Sequence, residues 1–142
     1  MAIPRSALFI LTSLTLLGCG LTEPRWDLRR GEIEGGADPL HLEIPAVVTA
    51  GEPATIAIRT YGNGCVRHGE VTLVSVTGMT AIVEPYDSVV VEAPGNYGCT
   101  DQLRTFTHTA DITFPQAGDA TLQVIGMVGG SVVTRERVLP VQ

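Results

Sequence analysis

Three cysteines and three histidines are the side chains here with the most chemistry to offer: Cys19, Cys65 and Cys99, with His41, His68 and His108. Cys65-Val66-Arg67-His68, taken with Cys99 and His108, supplies soft sulfur and imidazole donors of the kind that zinc or copper accepts. The same two cysteines are equally suited to a disulfide. His41-Leu42-Glu43 and His68-Gly69-Glu70 each put an imidazole and a carboxylate on one side of an extended chain, a pair that is more often solvated than ligating. His108 lies on an apolar face, where a hydrogen-bonded core or rim histidine is the ordinary outcome. Ser131 follows Gly129-Gly130 without the strand-turn-helix setting of a nucleophile elbow. Asp101 and Asp111 lack the spacing of a calcium loop, and no glycine loop precedes a helix to hold phosphate. No acid, base and nucleophile converge, so the expectation is a protein that is not an enzyme and needs no cofactor.

Cys19 stands apart from the other two. It closes an apolar run from Ala7 to Leu17 that follows a short amino end with one charge, Arg5. A positive start, a run of this length and small residues at its end make a secretory signal, too short to span a bilayer as a helix. Leu16-Leu17-Gly18-Cys19 resembles the lipobox of bacterial lipoproteins. That resemblance implies a diacylglycerol on the Cys19 thiol, cleavage before it, and an acylated (palmitate-type) new amino end. Two or three acyl chains hold a domain stably where one holds marginally. With Gly20 next, the resemblance implies a cell-envelope location, at the outer membrane facing periplasm or surface in a diderm host. With Cys19 committed to lipid, Cys65 and Cys99 remain as an even pair in an oxidising compartment. The expectation is a disulfide worth about 4 kcal/mol by loop-closure entropy. A metal-binding envelope protein using Cys65, His68 and Cys99 is the alternative.

These positions divide the chain into a signal, residues 1–18, a tether, residues 19–37, and one domain, residues 38–142. Charged residues make up 17% and apolar ones 44%, which suits a globular body. Loss of Arg5 with the signal takes the formal charge from −6 to −7. An acidic body of this kind argues against nucleic acid as a partner. Glu23-Pro24-Arg25, Gly31 and Gly35-Gly36 break any periodicity, so residues 20–37 read as a leash with a reach of roughly 20 to 25 Å. Arg25-Trp26-Asp27-Leu28-Arg29-Arg30 within it reads as a solvated turn, with docking at a bilayer interface or on the domain as the rival.

From residue 38 the hydrophobic period becomes two. Leu40, Leu42 and Ile44 alternate with His41 and Glu43 until Pro45. Ala54, Ile56 and Ile58 face one way, with Thr55 and Arg59 the other. Glu70 to Val76 is a β-branched run that turns at Gly78 into Thr80 to Val83, and Pro85 is expected to stop that strand before a separate Val89 to Glu92. Phe106, His108, Ala110, Ile112 and Phe114 share a face. Ala120 to Val128 and Ser131 to Leu139 flank Gly129-Gly130 as a hairpin. Seven to eight strands without a helical period predict an all-β sandwich of two antiparallel sheets.

Phe114-Pro115-Gln116-Ala117-Gly118-Asp119-Ala120-Thr121-Leu122-Gln123-Val124 is similar to the entry into the penultimate strand of bacterial immunoglobulin-like domains, and Ala50-Gly51-Glu52-Pro53-Ala54-Thr55-Ile56 to the turn into their second strand. The likeness covers roughly residues 38–141. Ala120 stands where that family commonly has a corner tyrosine, and residues 38–142 contain no tryptophan. Such a fold implies no chemistry by itself. A Cys65–Cys99 bridge would gather Tyr61, Asn63, Arg67, His68, Asn96, Tyr97 and Arg104 at one tip, and sandwich loops use such residues to grip partners. The expected function is a non-catalytic lipoprotein module for binding or assembly, held in the membrane by its lipid, with another envelope protein or a glycan as partner.

Overall fold

The computed structural model describes residues 23–35 and 39–142. Cys19, the lipobox and the signal lie outside the described residues. Eight strands follow in order: β1 (Arg25–Arg30), β2 (Leu42–Glu43), β3 (Ala54–Gly62), β4 (Val66–Thr77), β5 (Thr80–Glu92), β6 (Arg104–Ile112), β7 (Gly118–Val128) and β8 (Ser131–Val141). They form two sheets. The smaller runs β2-β3-β6; the larger holds β1, β4, β5, β7 and β8.

Alternation decides which side chains fill the space between the sheets. Ala54, Ile56 and Ile58 of β3 with Ala110 and Ile112 of β6 meet Ala81 and Val83 of β5, Ala120, Leu122 and Val124 of β7, and Leu139 and Val141 of β8. Each fully buried leucine or isoleucine here adds about 1.5–3 kcal/mol. The turns carry the residues their geometry demands. Gly129 and Gly130, at φ +56° and +81°, join β7 to β8. Gly78, at φ +56°, takes the first central position of the β4–β5 turn, the II′ arrangement.

Three departures from the sequence reading bear on the site. Residues 25–35, expected within the tether, belong to the folded body. β1 pairs antiparallel with β5 from Arg30↔Tyr86 to Arg25↔Glu92, and Ile33 beyond it is wholly buried. Next, Pro85 does not stop a strand. β5 runs through it, because Pro85 sits where β7, paired parallel with Thr80–Val83, gives way to β1 on the same edge of β5. The missing N–H therefore falls at a gap in the ladder, while the Pro85 carbonyl still accepts from the Gly31 N–H at 2.8 Å. Third, that β5–β7 pairing makes the larger sheet mixed, whereas antiparallel sheets were expected. A parallel neighbour requires the chain to cross to the other sheet between the two strands, which β6 does.

Candidate functional site

The cystine lies at one end of the sandwich. Cys65 and Cys99 have sulfurs at bonding distance and Cα atoms 5.0 Å apart. Backbone and side-chain bonds fix the same turn: Asn63 Oδ1 accepts from the Cys65 N–H at 2.9 Å, Asn63 O from Val66 N–H at 3.1 Å, and Thr100 O from Gly64 N–H at 2.9 Å. A Cβ at Gly64 would overlap Thr100, so the approach of the two loops requires glycine.

The seven residues expected at this tip do not gather into one surface. Asn63, Asn96 and Arg104 are exposed and Tyr97 is half-buried. Tyr61 is a correction: it is 4% exposed, and the backbone of Gly35 sits so close over its ring that a Cβ there would collide with it. Its pairing with Glu32, in the strip that follows β1, lays that strip over it. Arg67 points to the outer face of the larger sheet, its guanidinium 3.7 Å from the Trp26 ring centroid. His68, its neighbour, points the opposite way, and its ring centroid lies 4.4 Å from that of His108.

The strip 29–35 and the β3–β4 corner enclose a cleft beside the cystine. One lobe, about 180 Å³, has Tyr61, Val66, Val89 and Met127 as apolar walls, with Asp87 and Gly31 also lining it. A second, about 380 Å³, shares Glu32, Tyr61 and Val66 and extends to Glu34, Asn63 and Leu103. Glu34 is tied across the strip by Arg135, with Nε–Oε1 at 2.6 Å, and that hydrogen bond holds the Glu34 carboxyl below its ordinary range. Glu32 accepts from the Gly129 N–H at the tip of the β7–β8 hairpin.

Beneath this cleft a polar cluster crosses the core. Asp87 of β5, His108 of β6 and Thr60 of β3 are each at most 2% exposed. The His108 Nε2–H donates to Asp87 Oδ1 at 3.0 Å, with Thr60 Oγ1 as a second neighbour at 3.1 Å, a tautomer set by the acceptor character of the carboxyl oxygen. The His108 Nδ1 lies 3.5 Å from Thr72 Oγ1 on β4. Asp87 Oδ2 is buried without a protein partner. The line Thr72, His108, Asp87 has the order of a hydroxyl-imidazole-carboxyl relay. Its imidazole and carboxyl are buried, and the arrangement binds one sheet to the other. His108 was legible as a hydrogen-bonded core histidine. Asp87 was missed, although it continues the inward series Ala81, Val83, Pro85 and could have been found by counting in twos.

The remaining candidates stay local. His41 Nε2 and Glu43 Oε1 pair at 3.1 Å on the surface, as the spacing implied. His68 and Glu70 do not share a side, because a bulge at Gly69-Glu70, with Glu70 at φ +52°, breaks the alternation. Asp111 accepts from Thr55 at 2.5 Å across β3–β6. Asp101 is an exposed loop residue and Ser131 opens β8. A metal held by Cys65, His68 and Cys99 would need two thiolates that are joined to each other. Among the described residues no group of three or more His, Cys, Asp or Glu side chains converges as a metal site. No helix among them is long and apolar enough to cross a membrane. No protein-family model, curated protein or solved structure matches the chain.

Proposed function

We propose that this chain is a non-catalytic lipoprotein of the cell envelope, a binding or assembly module carried on a lipid attached at Cys19. The observation that carries the reading is Leu16-Leu17-Gly18-Cys19 at the end of a signal-like apolar run. The bonded pair Cys65–Cys99 supports it, since such bridges persist in oxidising compartments. Within this reading the body is a variant of the bacterial immunoglobulin-like sandwich. The Ala117-Gly118 turn into β7 favours that likeness, and the parallel β5–β7 pair is its departure.

The early start of β1 changes how such a module would be held. From Cys19 to Arg25 the chain spans at most about 20 Å even when fully extended. The body would therefore hang close to the headgroups, with Trp26 and its arginines on the near side. The cystine end and its cleft, with Asn63, Asn96, Tyr97 and Arg104, lie at that same end, because Arg25 pairs with Glu92 and the Val90 N–H bonds to Cys65 O, so a protein or glycan partner would be met close to the bilayer. Metabolic labelling with a fatty-acid analogue, followed by mass spectrometry of the mature amino end, tests the anchor. Label on Cys19, lost in Cys19→Ala, is the expected result. An unmodified product, or one beginning elsewhere, would sink the reading.

A further inference from the structure

We propose that one corner of the larger sheet, built by Trp26, Leu28, Arg67 and Val90, rests in the headgroup region of the bilayer, so that the body is seated on lipid and does not swing from its tether. The inference rests on the lipid anchor at Cys19 proposed above and names the surface that this anchor brings into contact.

The register decides which side chains share the outer face. Ala81, Val83 and Asp87 of β5 are buried on the inner side, so Glu84, Tyr86, Ser88 and Val90 face outward. β1 sets Arg30 opposite Tyr86, Leu28 opposite Ser88 and Trp26 opposite Val90, and β4 sets Arg67 opposite Ser88 from the other side. Three strands therefore contribute to one patch. Leu28 is 51% exposed, Val90 is half-buried, and the Arg67 guanidinium lies over the Trp26 ring.

At the opposite end of the same face the composition changes. Hydroxyl and amide side chains predominate there, with Thr77, Thr80 and Thr121 in one row and Ser75 and Gln123 in the next. The indole and its arginine are gathered at one end only. An amphipathic ring and a long cation each have one apolar and one wet part, which suits them to the boundary between acyl chains and headgroups.

The occupant follows from where the chain enters. Arg25 and Trp26 are the first two residues of β1, and the stretch from Cys19 to Arg25 reaches at most about 20 Å. Acyl chains on Cys19 therefore hold this corner within reach of the headgroups. Thr80, at the far end of the 13-residue β5, is roughly 40 Å from Glu92. Charge does not oppose the contact, because Glu84 and Glu92 on this face are paired with Arg30 and Arg25. Arg67 has no carboxylate partner among the described residues and is left to meet a headgroup phosphate.

Trp26 is the only tryptophan in the chain, so its fluorescence reports on this corner without a label. The mature full-length chain is purified from membranes, its Cys19 adduct is checked by mass spectrometry, and it is reconstituted into vesicles of phosphatidylethanolamine and phosphatidylglycerol. Replacing part of the lipid by acyl-brominated phosphatidylcholine is expected to quench Trp26 roughly twofold or more. Leu28→Glu, at an exposed site and with folding checked by circular dichroism, is expected to remove most of that quenching. Val138→Glu, 62% exposed at the far end of the same face, is expected to leave it unchanged. A lipidated chain that floats with the vesicles yet shows no quenching would overturn the proposal and leave the anchor standing. Equal quenching in the two variants, or a co-purifying protein covering Trp26 in place of lipid, would overturn it as well. An unmodified Cys19 would remove the anchor and this inference together.

Discussion

Removing His108 should damage the body far more than removing its partner. In His108→Leu the Asp87 carboxyl loses its Oδ1 bond while Oδ2 is already unpartnered, in a site 1% exposed. Breaking a buried pair this way costs about 3–5 kcal/mol, which is a large share of a small domain's stability. Asp87→Leu leaves His108 with Thr60 Oγ1 and Thr72 Oγ1 as neighbours and should cost only about 1–2 kcal/mol. The double variant replaces both polar groups by apolar ones and should lie close to Asp87→Leu alone, so the two changes fail to add by about 3–5 kcal/mol, the whole cost of His108→Leu. Urea titrations followed by circular dichroism and by Trp26 fluorescence give all three values. Equal single costs that sum in the double variant would refute the claim that Asp87 is held in the core by His108.

Cys65→Ser with Cys99→Ser opens a loop with a sequence separation of 34 and should lower stability by about 4 kcal/mol, read as a shifted urea midpoint. Gly31→Ala would place a methyl 2.5 Å from Thr60 Cγ2 and 2.7 Å from Asp87 Oδ2, so thermal melting should show a loss of about 1–3 kcal/mol. The carboxyl of Glu34, held down by Arg135, contributes stability that is present above the ordinary carboxylate range and fades as pH falls through its lowered value. Protection factors at residues 33–35, corrected for the intrinsic pH dependence of amide exchange, should therefore fall on acidification in the native chain and change less in Glu34→Gln.

How legible the molecule was in its sequence depended on how far each strand is covered on one side only. β3, β6 and the β7–β8 hairpin show clean alternation because one face meets core and the other water. β1 was invisible for the opposite reason. Both of its faces are largely open, so Arg25, Asp27, Leu28 and Arg29 follow no period and read as a leash. β5 looked like two short strands because Pro85 normally ends one, and only the change of neighbour at that residue makes it harmless. The disulfide followed from counting cysteines. The scattering of Tyr61, Arg67 and His68 did not, because closeness in sequence to a bridge does not fix surroundings: Tyr61 is covered by the strip that follows β1, and Arg67 and His68 face opposite sides of one strand.

The handover on β5, where one flank is shared between β7 and β1, sets an order on the chain's assembly. Arg25 finds its partner at Glu92, 67 positions later, whereas the β7–β8 hairpin needs only its own turn. A chain emerging amino end first must keep this opening segment unmatched until β5 has followed it, a delay that favours slow, non-local closure. β1 is thus made well before the strand that locks it in place.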